Sequence, residues 1–378
     1  MAPLTSLVIL LLLAAPASAQ WSEPERISAI GENWRPHTAF SPAGERLTAW
    51  TRFEGDRASL QASDTGRLAR DGDWLTAPVG FGARSFALAW TDGRRRRLVA
   101  RIRRQRRTIA SGRRVMSPSL AGNVDGRLAL AWFDDRGTSD DEVLVALRPA
   151  GGDGGFGRPI RLARGKVRSV SVAVGPGGQV LVAWDAYGKV RTRLRRGARF
   201  GRTDTIRSFQ AFNARLQTGV AANGRAIVGW TAKFRSEGGA GGPSYQQVAV
   251  RPAGGGRFRE AQLLSRTPDA PDVEGTLRLD LSGFVPQVAW TQRDGVFRSR
   301  AGGEGVFQTP DPIAPSGAVL QDHAGGFAYW IEGRRLVAEG VTVSGPRATQ
   351  ADAAVDPLTG RPSAVWLQDG GVMTSTRG

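Results

Sequence analysis

The chain has no cysteine, which excludes disulfides, thiolate chemistry and a lipid-anchored cysteine, so its stability has to come from packing. Histidine is nearly as scarce, with His37 and His323 the only two. A His-based zinc site or a Ser-His-Asp triad therefore has little material. Tyrosine stops at Tyr187, Tyr245 and Tyr329, which leaves few candidates for Tyr-based catalysis. Lysine is confined to Lys166, Lys189 and Lys233 among 52 basic residues, and 34 carboxylates against those cations leave a formal net charge of +18. An excess of that sign favours anionic partners such as acidic glycans, cell-wall polymers or nucleic acid. The apolar run Leu7 to Ala15 falls short of the roughly 20 residues that a membrane span takes. With Ala17-Ser18-Ala19 before Gln20 it reads as a secretory signal over residues 1–19, although its n-region lacks Lys and Arg. The expected product is a secreted domain over residues 20–378, with no transmembrane segment after signal cleavage, acting as a monomer.

What the chain does have is a repeated phrase. Ser169 to Trp184 reads as a strand of alternating Val, a Gly-Pro-Gly-Gly turn and a second apolar strand that ends on Trp. Tryptophans that close such a strand recur at Trp50, Trp90, Trp132, Trp184, Trp230, Trp290, Trp330 and Trp366, at spacings of 36 to 60 residues. Gly44, Gly126, Gly178, Gly224 and Gly360 each stand six residues before one of them. The preceding residue is small in six units: Ala49, Ala89, Ala131, Ala183, Gly229 and Ala289. A small residue there lets a neighbouring sheet approach while the indole supplies apolar area to the same seam. A third strand (Val143 to Arg148, Val248 to Arg251) and a fourth opened by an aromatic (Phe156 to Leu162, Phe258 to Leu264) follow. Four short strands in a repeat of about 45 residues predict a β-propeller, whereas β-sandwich domains need about 100 residues each. Eight closing tryptophans predict eight four-stranded blades, with seven as the alternative because the second unit is irregular. The last unit is one strand short, and Trp21 to Ser28 matches the fourth-strand phrase, so the N-terminal strand is expected to close the ring and cover its edge.

The phrases at 172–184 and 250–255 resemble the repeats of secreted bacterial β-propeller proteins. More distantly the chain resembles sialidases and other Asp-box propellers, which implies a shared fold. It departs from them in having no intact Ser-x-Asp-x-Gly-x-x-Trp box and no Arg-Ile-Pro phrase, so no sialidase arginine, nucleophile or acid maps onto it.

Candidate site residues are therefore read from charge and position. The densest cationic patch comprises Arg94, Arg95, Arg96, Arg97, Arg101 and Arg103, continuing to Arg114. It reads either as a solvated blade edge blunted by charge or as a strip for a polyanion. It lacks the interleaved aromatics that stack on single-stranded nucleic acid. The turns after the strand tryptophans carry acids, among them Asp92, Asp185 and Asp294, with Tyr187 beside the second. On one face of a ring they form either ordinary hairpin turns, as Asp92-Gly93, Asp294-Gly295 and Asp369-Gly370 suggest, or an acidic rim. No cofactor is expected. The cluster from Asp134 to Glu142 offers oxygens for calcium, but its spacing does not match an EF-hand. The loop Ser236 to Pro243 is Gly-rich without the Gly-Lys-Ser/Thr ending of a phosphate loop. The expected function is non-catalytic binding of an anionic or carbohydrate ligand, and the rival is a sialidase-like, glycan-cleaving hydrolase. Paired carboxylates at the channel mouth with one raised pKa would favour the rival, and a mouth of turn acids and arginines would favour binding.

Overall fold

The structure, a computed structural model, describes residues 20–378 apart from 93–95, 113, 138–139, 153, 207–211, 236–240, 266–276, 284 and 304. Its strands form eight antiparallel blades, each with four strand positions, arranged as an eight-bladed β-propeller. The first strands of neighbouring blades touch one another and so line the central axis. In blades 1 to 4 these are Glu32–Phe40, the pair Gly72–Asp73 and Val79–Phe81, Arg114–Gly122, and Val170–Val174. In blades 5 to 8 they are Phe212–Val220, Leu277–Asp280, Val319–Ala324 and Ala348–Val355. The irregularity of the second unit is real and lies in this first strand, which breaks between Asp73 and Val79 around the left-handed Trp74 (φ 47°) and Pro78.

The ring closes as expected. Glu25–Arg26 is the outermost strand of blade 8 and pairs with Gly371–Thr376, Glu25 opposite Thr374 and Arg26 opposite Met373. Ser22 N–H donates to the Thr376 carbonyl at 2.9 Å, Ile27 N–H to Val372 at 2.9 Å and Gly378 N–H to Gln20 at 2.8 Å.

The core is a series of seams between adjacent blades rather than one central mass. Ala129, Val143 and Trp184 fill the seam of blades 3 and 4, and Leu194, Leu216 and Trp230 that of blades 4 and 5. Trp50, Leu367 and Val372 fill the closing seam of blades 8 and 1. The small residue before Trp230 acts as expected: a Cβ on Gly229 would lie 2.7 Å from Leu277 of the next blade, whereas Tyr329 and Val365 stand at that position before Trp330 and Trp366. In four blades the indole N–H donates to the side chain two residues on, Trp132 to Asp134, Trp290 to Gln292, Trp330 to Glu332 and Trp366 to Gln368, at 3.0 to 3.1 Å. The residue two after the strand tryptophan thus satisfies a buried donor in half of the blades.

The turn from first to second strand explains the glycine six residues before the Trp. Gly178 N–H donates to the Gly175 carbonyl at 2.9 Å and Gly175 N–H to Gln179 at 2.8 Å, which leaves Gly178 left-handed (φ 76°) in a three-residue hairpin loop. Gly295 is stricter. Its φ is 136°, and a Cβ there would strike the Ala314 carbonyl of the fourth strand of its blade, so Gly295→Ala combines backbone strain with a clash. It is expected to lower stability by about 3 kcal/mol in urea unfolding, whereas Gly333→Ala (φ 53°, open space) should lose only about 1 kcal/mol.

Candidate functional site

Because second strands run opposite to first and third strands, the turns between second and third strands share one face of the ring and the turns between first and second strands share the other. The second hairpin, Ser85–Asp92 with Arg97–Ile102, spans from face to face. Its arginines, continuous in sequence, are therefore divided. Arg96 and Arg97 lie on the face of the post-tryptophan turns, where Arg97 pairs with Asp92 at 2.7 Å. Arg101 and Arg103 lie on the opposite face, and Arg94 and Arg95 fall outside the described residues.

Arg101 and Arg103 meet in a groove of about 850 Å³ shared by blades 1, 2 and 3. Seven arginines line it against two carboxylates, Glu45 and Asp64, with Phe86, Ile109 and Phe156 supplying apolar wall. Three of the arginines are fixed. Arg101, only 4% exposed, grips both oxygens of Asp64, donates to Thr65 Oγ1 at 3.2 Å, and donates through Nε to the Arg103 carbonyl at 2.8 Å. Burial works against ionisation of Asp64, and the Arg101 guanidinium outweighs it, holding the carboxyl below its ordinary range. Arg148 lies over the Phe81 ring and donates to the Gly126, Gly152 and Gly154 carbonyls. Arg46 donates to Ser363 Oγ at 2.9 Å and Thr374 Oγ1 at 2.7 Å. The others face solvent: Arg84 stands 3.5 Å from Glu45, Arg103 reaches Ser85 Oγ at 3.2 Å, and Arg104 and Arg107 hold no ion pair among the described residues. Arg103 has φ 58°, a strained conformation for a non-glycine residue, fixed where the turn enters the groove.

The remaining candidates lie elsewhere. Asp185 is fully buried and accepts the Gly188 N–H at 2.8 Å, which makes it a turn residue. Tyr187 is 52% exposed with the Lys166 ammonium 5.0 Å and the Arg168 guanidinium 4.7 Å from its ring. Asp294 is an exposed turn residue. The post-tryptophan acids are largely engaged: Asp135 pairs with Arg114 at 3.4 Å and Asp369 with Arg347 at 3.1 Å. In the 134–142 cluster, Glu142 is held by Arg136, Arg161 and Arg164 within 3.0 Å, and Asp141 accepts the Arg136 and Val167 N–H groups. Among the described residues no group of acids and histidines is arranged to hold a metal ion.

At the channel, polar side chains tie first strand to first strand. Asp322 of blade 7 accepts the Ala353 N–H at 2.9 Å, and Asp352 of blade 8 accepts the Thr38 N–H at 2.7 Å. Arg278 lies 3.7 Å from Asp322, and His37 Nδ1 lies 3.7 Å from Asp352. Burial, and then the charge of Asp352, push Asp322 up to about 7. This pair, and a cleft around Trp34 and Trp74 on the same face as the post-tryptophan turns, are the features that reading the acids and arginines alone missed. The signal for the cleft is that both tryptophans stand outside the strand-closing series.

No family model matches the chain, and no curated protein matches it. Solved structures do. A protein of unknown function from Dyadobacter fermentans is 10% identical, over 96% of this chain and 99% of that one, with a TM-score of 0.47. A fucose-specific lectin from Aleuria aurantia is 12% identical over 77% of this chain and 98% of that one, TM-score 0.42. A Trypanosoma rangeli sialidase is 10% identical over 92% of this chain and 55% of that one, TM-score 0.42.

Proposed function

We propose that this protein is a secreted, non-catalytic binding propeller that acts as a single ring and holds an anionic glycan or cell-wall polymer in the groove of blades 1 to 3. The observation that carries this reading is the charge of the groove: seven arginines to two carboxylates, with Arg101 and Arg148 locked by hydrogen bonds within the protein and Arg104 and Arg107 left to reach a ligand. Arg101 and Arg148 engage their donors with protein acceptors, so carboxylate, sulfate or phosphate is met by the solvent-facing arginines, whose attraction salt screens. The test is an array of uronate-, sulfate- and sialate-bearing glycans, read at about 50 and 500 mM NaCl. The double variant Arg104→Glu/Arg107→Glu should lose at least tenfold in affinity, about 1.4 kcal/mol. Its unfolding free energy should stay within about 0.5 kcal/mol, because both residues are exposed. Binding that the double variant leaves intact removes the groove from the reading.

The rival reading, a glycan-cleaving hydrolase, has one observation in its favour: adjacent carboxylates at Asp322 and Asp352, one of them raised toward neutrality. Against it, both accept backbone N–H groups of the following blade and serve as ties. Release of fluorophore from a methylumbelliferyl glycoside, abolished by Asp322→Asn, would establish the rival.

A further inference from the structure

A second cleft, of about 900 Å³, opens on the face opposite the arginine groove, between blades 1 and 2. Three aromatic rings stand in it: Trp34 from the first strand of blade 1, Phe53 from the second strand, and Trp74 from the connection into blade 2. Trp34 is 38% exposed, with the Arg35 guanidinium 4.1 Å over its ring and Phe53 tilted against it at 6.0 Å. Trp34 and Trp74 each stand sixteen residues before a strand-closing tryptophan, Trp50 and Trp90, so the two blades bring equivalent positions to one cleft. Exposed indoles are unusual in this chain, whose strand tryptophans are buried to 6% or less.

The charge of the cleft sets it apart from the groove. Arg35, Arg57 and Arg96 face Asp56, Asp71 and Asp73. Among the described residues, in a protein of net charge +18, this is a locally balanced site. Four of these charges, Arg57, Arg96, Asp56 and Asp71, hold no ion pair among the described residues. A wall of rings ringed by donors and acceptors of both signs suits a ligand that is uncharged, flat on one side and rich in hydroxyls. The backbone is strained here as well: Arg35 and Trp74 are both left-handed, with φ 48° and 47°. Trp34 and Arg35 also line a cavity of about 440 Å³ at the channel mouth, with His37, Arg278, Gln321 and Gln350, so the cleft continues to the axis.

We propose that this cleft is a binding site for a neutral pyranose ring, which packs against both Trp34 and Trp74 and has its hydroxyls bonded by Asp71, Asp56 and the arginines. It is separate from the anion groove in place and in chemistry, so one molecule carries a neutral-sugar site on one face and an anion site on the other. The experiment is tryptophan-fluorescence titration of the residue 20–378 chain with methyl pyranosides of the common neutral hexoses and deoxyhexoses. At least one should bind, with an affinity that changes less than twofold between low and high salt. Trp34→Ala and Trp74→Ala should each weaken it at least tenfold, Asp71→Asn should weaken it without altering thermal stability, and Arg104→Glu/Arg107→Glu should leave it unchanged. Because Asp71 is an exposed residue, its variant keeps the test open if a tryptophan variant fails to fold. No binding by any member of the panel, or binding indifferent to Asp71→Asn and Trp34→Ala, overturns the proposal. Loss of binding in the groove variant as well would merge the two sites into one.

Discussion

Removing residues 20–28 should lower the melting temperature by about 10 °C or more and make the protein associate further as its concentration rises. The deletion takes away the outermost strand of blade 8, together with the backbone hydrogen bonds from Ser22 and Ile27 to the last strand. It also removes Trp21, which packs edge-on against Tyr329 at a ring separation of 6.2 Å, and Ile27, which packs in the closing seam with Trp50. Each net hydrogen bond is worth about 1 kcal/mol and each apolar side chain about 2 kcal/mol, so the loss is on the order of 5 kcal/mol, a large part of a domain's stability. What remains is Gly371–Thr376 as an unpaired edge beside a slackened seam, and an edge of that kind pairs with whatever strand is offered. Differential scanning calorimetry and light scattering read the two effects. A melting temperature unchanged by the deletion would mean that the ring is closed by the seam of blades 8 and 1 alone.

The architecture was legible because the propeller repeats its local chemistry. The strand-closing tryptophan, the small residue before it and the left-handed glycine six residues earlier each answer one requirement of a blade, and the requirement recurs at every seam. Trp184 with Gly178 is enough to place two strands and their turn, and the observed strands Val170–Val174 and Val180–Asp185 fall where that stretch puts them. The fourth strands were less legible. Phe156 and Phe258 do pack in the seams, but pairing begins only at Ile160 and Gln262, because a chain returning over the blade edge can follow it with few ladder bonds.

Site residues were legible only where charge sat next to charge in space. Arg101 and Arg103 share a groove, but the patch that contains them divides between faces, since a hairpin paired over six positions carries its ends to opposite sides of the ring. The acids after the tryptophans read in sequence either as hairpin turns or as a rim, and the structure gives several of them indoles, arginines or turn amides as partners. Asp322 and Asp352 could not be paired from sequence, because their meeting depends on the register of first strands in two blades.

That pairing sets the second large effect, an unusual dependence of stability on pH. Asp322 is held near 7 in the folded protein, by burial first and by Asp352 second, against about 3.9 when unfolded. Its folded pKa is the higher one, so the folded state binds the extra proton between those two values. This group's contribution is therefore fully favourable below about pH 4, declines as pH rises, and levels off above pH 7, opposite in direction to a salt-bridged carboxylate. The charged and titratable groups around it are Asp352, Arg278 at 3.7 Å and the neutral, buried Tyr329, with His37 beyond Asp352. Asp322→Asn keeps an oxygen for the Ala353 N–H and gives Asp352 a donor in place of a like charge, so the variant should be the more stable protein. The margin approaches about 4 kcal/mol at pH 8 and shrinks to less than half of that at pH 5, at 1.36 kcal/mol per unit between folded and unfolded pKa. Urea unfolding of both proteins across that range measures it. A margin that stays constant with pH would mean that Asp322 is ionised throughout, with Arg278 rather than a proton balancing it. A negative margin at pH 8 would mean that the tie between blades 7 and 8 needs the charge itself.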